Sequence, residues 1–210
     1  MSANGDSNKS EFRLKDAPDD GISAVRFGPN SSQFLLVSSW DKHVRLYDVT
    51  NNNLRVKYAH QRPVLSCAFQ DPIHVWSGCL EGKLKSFDIN SNQEAVIGQH
   101  ESAIRCIEFS NDINAVLTGS WDSTVKIWDP RTNSCTGTYT QPDKVYSMSL
   151  AGEKLVVGTA SRKVLFRVEC TLLQSTKYVI FLNIHIEMKC DIPNVDKHTK
   201  LSDFTVYSAR

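Results

Sequence analysis

No run of this 210-residue chain is apolar for long enough to cross a bilayer. The longest, Tyr178 to Ile186, is interrupted by Asn183 and His185. The first ten residues, Met1 to Ser10, are polar, which argues against a cleaved leader and predicts a disordered segment at 1–10. An excess of one charge is lacking too. The 24 Lys and Arg face 23 Asp and Glu, and the signs are interspersed for a net charge of +1. That balance lacks the electrostatic footprint of a direct nucleic-acid binder, and no membrane partner is expected. The six cysteines contain no CxxC pair, which removes the usual zinc and redox spacings. Cys67 and Cys106 fall one residue apart in phase along a repeat. The cysteines therefore read as small buried hydrophobes in a reducing compartment, cytosol or nucleus. No metal and no cofactor is expected.

What the chain does have is a period. Three stretches, Leu36 to Asp48, Trp76 to Asp88 and Leu117 to Asp129, end on an aromatic-Asp pair, and the closing aspartates are 40 and 41 residues apart. A fixed period of that length with that ending is the signature of a WD-repeat β-propeller. The repeats span about 21–49, 63–89, 103–130 and 144–168 within a propeller region at 11–168. Each opens on a strand of alternating apolar residues: Ile22 to Phe27, Val64 to Phe69, Ile104 to Phe109 and Val145 to Leu150. A turn rich in Pro, Asn, Asp or Gly leads to a second strand, a tight turn to a third, and a looser fourth follows. Four strands per 40 residues makes an all-β chain of about four blades. In the fourth repeat Arg167 and Val168 replace the aromatic-Asp pair, and no repeat phase returns in the 169–210 tail. Tyr178 to Met188 is expected to supply that blade's outer strand, since Tyr, Val, Ile and Phe favour strands. Phe12 to Lys15 reads as the extra strand that completes the last blade of a closed propeller. A seven-blade ring needs about 280–300 residues at this period. Four blades would leave two faces open, and aggregation or partial unfolding is the expectation for the chain alone.

His100, Ser120 and Asp122 suggest a Ser-His-Asp hydrolase. The repeat gives a structural account instead: the His before a first strand bonds the turn Asp, and a Ser or Thr with Trp128 extends that network. Repeat two keeps His60 but has Glu81 for Asp, and repeat one keeps Asp41 without the His. Decay of that kind suits a scaffold and would ruin catalysis, so no enzyme is expected. Trp40 and Trp121 precede the turn Asp in repeats one and three. Their turn lies on the propeller face that carries the loops between blades, where an exposed Trp is a frequent hot spot. Packing on the neighbouring loop is the competing reading. Arg105, Tyr146, Leu65 and Ser23 share one rim of that face, one residue into the four first strands. Arg and Tyr are favoured at interfaces, and ordinary rim polarity is the alternative.

The turns Ser38-Ser39-Trp40-Asp41 and Gly119-Ser120-Trp121-Asp122 and the run Val125 to Thr132 carry a closer likeness. Asp20-Gly21-Ile22-Ser23, Ser32 to Asp41 and Gln141 to Tyr146 add to it. Over about residues 11–166 the chain resembles the mitotic-checkpoint WD-repeat family named for budding uninhibited by benzimidazole. The messenger-RNA export propeller of the nuclear pore is a near relative. The resemblance implies a non-enzymatic seven-bladed adaptor that binds a short peptide of checkpoint kinases and related proteins and brings them to kinetochores. It also implies nuclear and kinetochore localisation with a cytoplasmic pool, and ubiquitin binding among the family's associations. Trp40 and Trp121 match two peptide-contacting tryptophans, with Arg105 and Tyr146 beside them as candidate peptide-binding residues. Phosphothreonine reading on a kinetochore scaffold uses basic residues of later blades that have no counterpart here, so no residue is assigned to it. The alternative function is an RNA-export adaptor.

Overall fold

The computed structural model describes residues 11–152, 154–161, 164–169 and 179–182. The disorder expected at 1–10, and the tail at 169–210 apart from Glu169 and a four-residue strand, lie outside them. The described residues form sixteen strands in four sheets, each sheet a sequential antiparallel run of four. Blade one is β1 (Ile22–Phe27), β2 (Phe34–Ser39), β3 (His43–Asp48) and β4 (Asn53–Ala59). Blade two is β5 (Val64–Phe69), β6 (His74–Cys79), β7 (Lys83–Asp88) and β8 (Gln93–Gln99). Blade three is β9 (Ile104–Ser110), β10 (Ala115–Ser120), β11 (Thr124–Asp129) and β12 (Ser134–Thr140). Blade four is β13 (Val145–Ala151), β14 (Lys154–Thr159), β15 (Val164–Glu169) and β16 (Val179–Leu182).

The closing Asp of each repeat has a local cause. Asp48, Asp88 and Asp129 each accept backbone N–H bonds from two or three residues on, at 2.8–3.2 Å. These bonds tie the tight turn that sends the chain back as the fourth strand, with Asn52, Asn92 and Asn133 taking its left-handed position. Repeat four lacks that Asp, and its outer strand is drawn from farther along the chain. β16 pairs with β15 from Phe166–Leu182 to Glu169–Val179, inside the segment expected to supply it.

The apolar cores lie between blades. Leu36, Val44, Leu46 and Tyr58 of blade one pack on Val64, Cys67, Val75 and Phe87 of blade two. Ala68, Trp76 and Leu84 meet Ile104, Ile107, Val116 and Trp128 of blade three. Cys106, Leu117, Val125 and Ile127 meet Val145, Met148, Leu155 and Val157 of blade four. The first strands β1, β5, β9 and β13 contact one another in succession. Arg26 of β1 reaches Glu108 of β9 at 3.1 Å, so blades one and three face each other across a shared axis.

Two expectations are corrected. Phe12 to Lys15 forms no strand. It lies against the outer turn of blade one, where Asn52 accepts the Lys15 amide and donates to the Arg13 carbonyl. Cys67, Cys79 and Cys106 are buried free thiols, but Cys135, also free, is exposed on the outer strand β12. Burial raises the Cys67 and Cys106 thiols to about 11, which leaves both inert at neutral pH.

Candidate functional site

One face of the arc is built by loops clamped at both ends. The loop entering blade two bonds back to the previous turn through His60 N–H to Lys42 O, 2.8 Å, and forward through Leu80 N–H to Pro63 O, 2.8 Å. His100 to Gly82 and Trp121 to Ala103 repeat the pattern in blade three, as do Gln141 to Ser123 and Ala160 to Lys144 in blade four. The tight turn after each second strand needs a left-handed residue. Lys42, Gly82 and Ser123 supply it, with φ of 74, 86 and 63°.

In blade three a buried polar chain fixes this turn. His100 Nδ1 lies 2.9 Å from Asp122 Oδ2, and its Nε2 lies 2.7 Å from Thr118 Oγ1. Trp128 Nε1–H donates to the same Thr118 oxygen at 2.8 Å. Burial pushes the His100 pKa down against the pull of Asp122. Burial also opposes ionisation of Asp122, but hydrogen bonds from Thr124 and the neighbouring His100 outweigh it, and its pKa stays below the usual value. The consistent assignment is a neutral imidazole. Its Nδ1–H donates to the Asp122 carboxylate, while Thr118 O–H donates to Nε2 and accepts from the indole. Ser120 belongs elsewhere: its Oγ donates to Ser102 O at 3.2 Å and accepts the Asp122 amide. The hydroxyl that joins His100 to Trp128 is Thr118, which the sequence reading did not name. Thr118 and His100 are buried, and this chain of bonds ties the loop entering blade three to the turn that carries Asp122.

Blades one and two carry altered versions. His60 Nε2 lies 2.8 Å from Ser77 Oγ, which also accepts the Tyr58 hydroxyl at 3.0 Å. Its Nδ1 is buried with no partner, because Glu81 turns to Lys83 at 3.2 Å. Burial and then the Lys85 charge lower the His60 pKa to about 3. In blade one Arg45 takes over the missing His. Its Nη1 lies 2.7 Å from Asp41 Oδ2, and Asp41 also accepts the amides of His43 and Asp19. The matching Lys85 and Lys126 instead donate to the backbone carbonyls of Ala59 and Gln99.

The register of the first strands identifies the rim residues. Every first strand carries a bulge after its first residue. Ile22 and Ala24 are paired but Ser23 is passed over, and Leu65, Arg105 and Tyr146 are passed over likewise. A bulge re-aims a side chain, which is why bulges recur beside functional sites. These are the four residues expected to share a rim, and nothing in their residue types signals a bulge. Tyr146 is half-exposed and Arg105 partly buried, while Leu65 is buried. Ser23 Oγ donates to Val64 O at 2.6 Å, tying blade one to blade two.

Trp40 is 43% exposed, beside Gly21, which presents no side chain to it. Trp121 is less open than expected. Its ring lies 6.1 Å from that of Tyr146 across the junction of blades three and four, and its Nε1 is buried without a partner. The structure therefore brings Trp121 and Tyr146 together. It places Trp40 in blade one, two blades away from Trp121, and Arg105 on the first-strand bulge of blade three. Among the described residues, no cluster of His, Cys, Asp or Glu could hold a metal ion.

The family profile described as "WD domain, G-beta repeat" matches residues 9–48 and 91–129, each match closing on the third strand of blade one or blade three. The repeats it passes over contain Glu81 and the Arg167-Val168 pair. The chain is 49% identical over 156 residues to "Mitotic checkpoint protein BUB3.1" of Arabidopsis thaliana, covering 72% of this chain and 46% of that protein. It is 31% identical over 222 residues to "Poly(A)+ RNA export protein" of Schizosaccharomyces pombe, covering 94% of this chain and 63% of that one. The chain thus spans about half to two-thirds of the length of the curated relatives it matches. Among solved structures, the WD40 β-propeller domain of Doa1 superposes with a TM-score of 0.66 at 22% identity, over 71% of this chain and 51% of that chain. The computationally designed Ika4 protein superposes with a TM-score of 0.65 at 24% identity, over 74% of this chain and 95% of that one. With four WD-type blades in the fold and this identity across them, the chain belongs to the WD-repeat family of the BUB3 mitotic checkpoint proteins.

Proposed function

We propose that the chain is a non-enzymatic adaptor whose loop-bearing face binds a short peptide of checkpoint proteins, kinases among them. Trp40 and the Trp121–Tyr146 pair are the anchors of this site, and Arg105 is its cation. The observation that carries the reading is the half-exposed Trp40 on a face whose loops are clamped at both ends. A rigid, large aromatic loses little conformational entropy on binding and desolvates well. The face is mixed in chemistry, with Arg105 on the bulge that matches that of Tyr146, which suits a peptide carrying both apolar and acidic side chains. Delivery of the bound protein to kinetochores, and nuclear localisation with it, belong to the same reading.

A second reading is an RNA-export adaptor. The alignment to the fission-yeast export protein favours it, because coverage of 94% runs past residue 168 into the tail. Paired pull-downs decide between them. The chain is presented with the peptide that checkpoint kinases use and with the corresponding nuclear-pore peptide. Preferential capture by the kinase peptide, lost in Trp40→Ala, supports the checkpoint reading. Preferential capture by the pore peptide supports the export reading, and capture by neither defeats both.

A further inference from the structure

We propose that the loop-bearing face carries an acid-receiving subsite at the junction of blades one and two. There Lys42, Arg62 and Lys83 hold an acidic run of the partner protein, next to the segment that Trp40 anchors. This inference rests on the peptide reading and deepens it by naming the chemistry of the ligand's flank.

The repeat singles out this junction. Lys42 follows Trp40 by two residues, and its carbonyl accepts the His60 amide at 2.8 Å. Arg62 stands two residues past His60 in the loop entering blade two. Both side chains are exposed, and the two blades that flank these loops are described in full. The carboxylates nearby are already taken. Asp41 meets Arg45 at 2.7 Å, Glu94 meets Lys85 at 3.1 Å and Glu81 meets Lys83 at 3.2 Å. Lys42 and Arg62 form no ion pair among the described residues. A surface cation is ordinarily just solvated, but the repeat argues otherwise here. The matching residues are Gly82 and Ser102 at the next junction, and Ser123 and Asp143 at the one after. The two cations thus stand at positions that are uncharged or acidic elsewhere, beside the half-exposed Trp40.

Charge also gives the flank a direction. The Trp40 amide donates to Gly21 O at 2.9 Å, and the Asp19 amide donates to Asp41 Oδ2 at 3.1 Å. The exposed Asp19 and Asp20 therefore border the Trp40 end of the turn, whereas the loop of blade two borders the Lys42 end. An acidic flank is repelled on the first side and attracted on the second, so it leaves Trp40 toward blade two.

Lys83 is the third cation, and Glu81 can release it. Glu81 occupies the position of Asp122, which holds His100 Nδ1 at 2.9 Å. The corresponding His60 Nδ1 is buried without a partner. With the Ser77 hydroxyl donating to His60 Nε2, that Nδ1 carries a proton and waits for an acceptor. A ligand carboxylate on Lys83 lets Glu81 turn to it. Three cations spread over a turn, a loop and the start of β7 suit successive carboxylates, whereas a lone phosphate calls for convergent donors. They are too few for a nucleic-acid backbone track in a chain of net charge +1.

Fluorescence anisotropy on the full chain tests this. The probes are the checkpoint-kinase peptide extended at one end or the other by about five glutamates, or by about five glutamines, enough to span the cations at ~3.3 Å per residue. One glutamate probe should bind about tenfold more tightly than its glutamine twin at low salt. That gain should fade by about 0.5 M salt. Lys42→Glu with Arg62→Glu should erase the gain and transfer it to a lysine-extended probe, a switch that a misfolded chain could not show. Glu81→Gln frees Lys83 and should enlarge the gain; no enlargement overturns the proposal. Equal binding of glutamate and glutamine probes, with both lost in Trp40→Ala, overturns it and leaves the peptide reading standing. A gain that is erased by charge reversal but indifferent to Trp40→Ala supports the acidic dock and defeats the reading of Trp40. Binding of no probe overturns both. An oligouridylate that binds more tightly than the glutamate probe, and is lost on charge reversal, assigns the cations to RNA and overturns the proposal.

Discussion

Glu81→Asp should stabilise this protein, although it removes an ion pair. In blade three the carboxylate at this position is Asp122, whose Oδ2 meets His100 Nδ1 at 2.9 Å and whose Oδ1 accepts the Thr124 amide at 2.9 Å. In blade two Glu81 instead pairs with Lys83, and His60 Nδ1 is left buried and unpartnered. An orphaned buried polar atom costs about 1–3 kcal/mol. The exposed Glu81–Lys83 pair is worth about 0–1 kcal/mol. Shortening the side chain lets it adopt the Asp122 geometry, for a net gain of about 1–2 kcal/mol. Urea unfolding of the full chain reads this as a higher midpoint at unchanged slope. The gain also has a pH signature. The folded-state pKa of His60, about 3, lies below its unfolded value, so the unfolded chain takes up the proton first as pH falls. Stability contributed by this group is complete above the unfolded pKa of about 6.5 and drains away toward pH 3, by up to about 1.4 kcal/mol per pH unit. A new carboxylate favours the protonated ring and reduces that loss. The advantage of Glu81→Asp should therefore widen between about pH 7 and pH 5. A midpoint that does not rise, or an advantage that shrinks in acid, would refute the reasoning.

Further outcomes can be measured on the same preparations. Thr118→Val leaves His100 Nε2 and the Trp128 indole N–H unpaired and should cost about 2–4 kcal/mol in urea unfolding, whereas Ser120→Ala should cost less than half of that. Gly78→Ala sets a Cβ 2.5 Å from Ile104 Cγ2 at the junction of blades two and three. It should lower the midpoint by about 1–3 kcal/mol, and an unchanged midpoint would mean the junction can yield. Gly82→Ala meets the His100 and Ser102 carbonyl oxygens at 2.5 and 2.6 Å with φ at 86°, so it should destabilise more than Ser123→Ala at the matching turn. Trp40→Ala and Trp121→Ala should each weaken the checkpoint-kinase peptide by about 2 kcal/mol or more by calorimetry. Loss with Trp40→Ala alone would reassign Trp121 to packing against Tyr146.

The blades were readable because each strand alternates and each turn carries its own chemistry. Ile22–Phe27 and Val64–Phe69 are the predicted first strands without change, and the other two each run one residue farther, to Ser110 and Ala151. The aromatic-Asp ending carries its own explanation once Asp48, Asp88 and Asp129 are seen to tie the outer turns. The details of the loop-bearing face were not readable. Ser120 and Thr118 are two residues apart on one strand, and nothing in the sequence says which hydroxyl faces His100. Arg45 sits in a tight hairpin and looks solvated, yet it is 2% exposed because it replaces a histidine that the first repeat lacks. Trp121 and Trp40 occupy the same turn position, but only Trp121 is followed in the next blade by a tyrosine. Phe12 to Lys15 pairs with no strand among the described residues, and Asn52 holds it by two hydrogen bonds instead.

The placement of the cores between blades has a consequence for synthesis. A newly made blade is half of a core and has nothing to close it until its successor arrives. Blade one can bury Leu36, Val44 and Leu46 only when Val64, Cys67 and Val75 have left the ribosome. Each later blade then finds a finished surface waiting, so the nascent chain assembles as a front moving toward the C-terminus. A pause in translation inside a blade would leave that blade's sheet unfinished as well as a half-core open, whereas a pause between blades would leave only the half-core of the last finished blade. Codon choice near residues 60, 100 and 141, where one blade hands over to the next, is therefore where slow decoding does least harm.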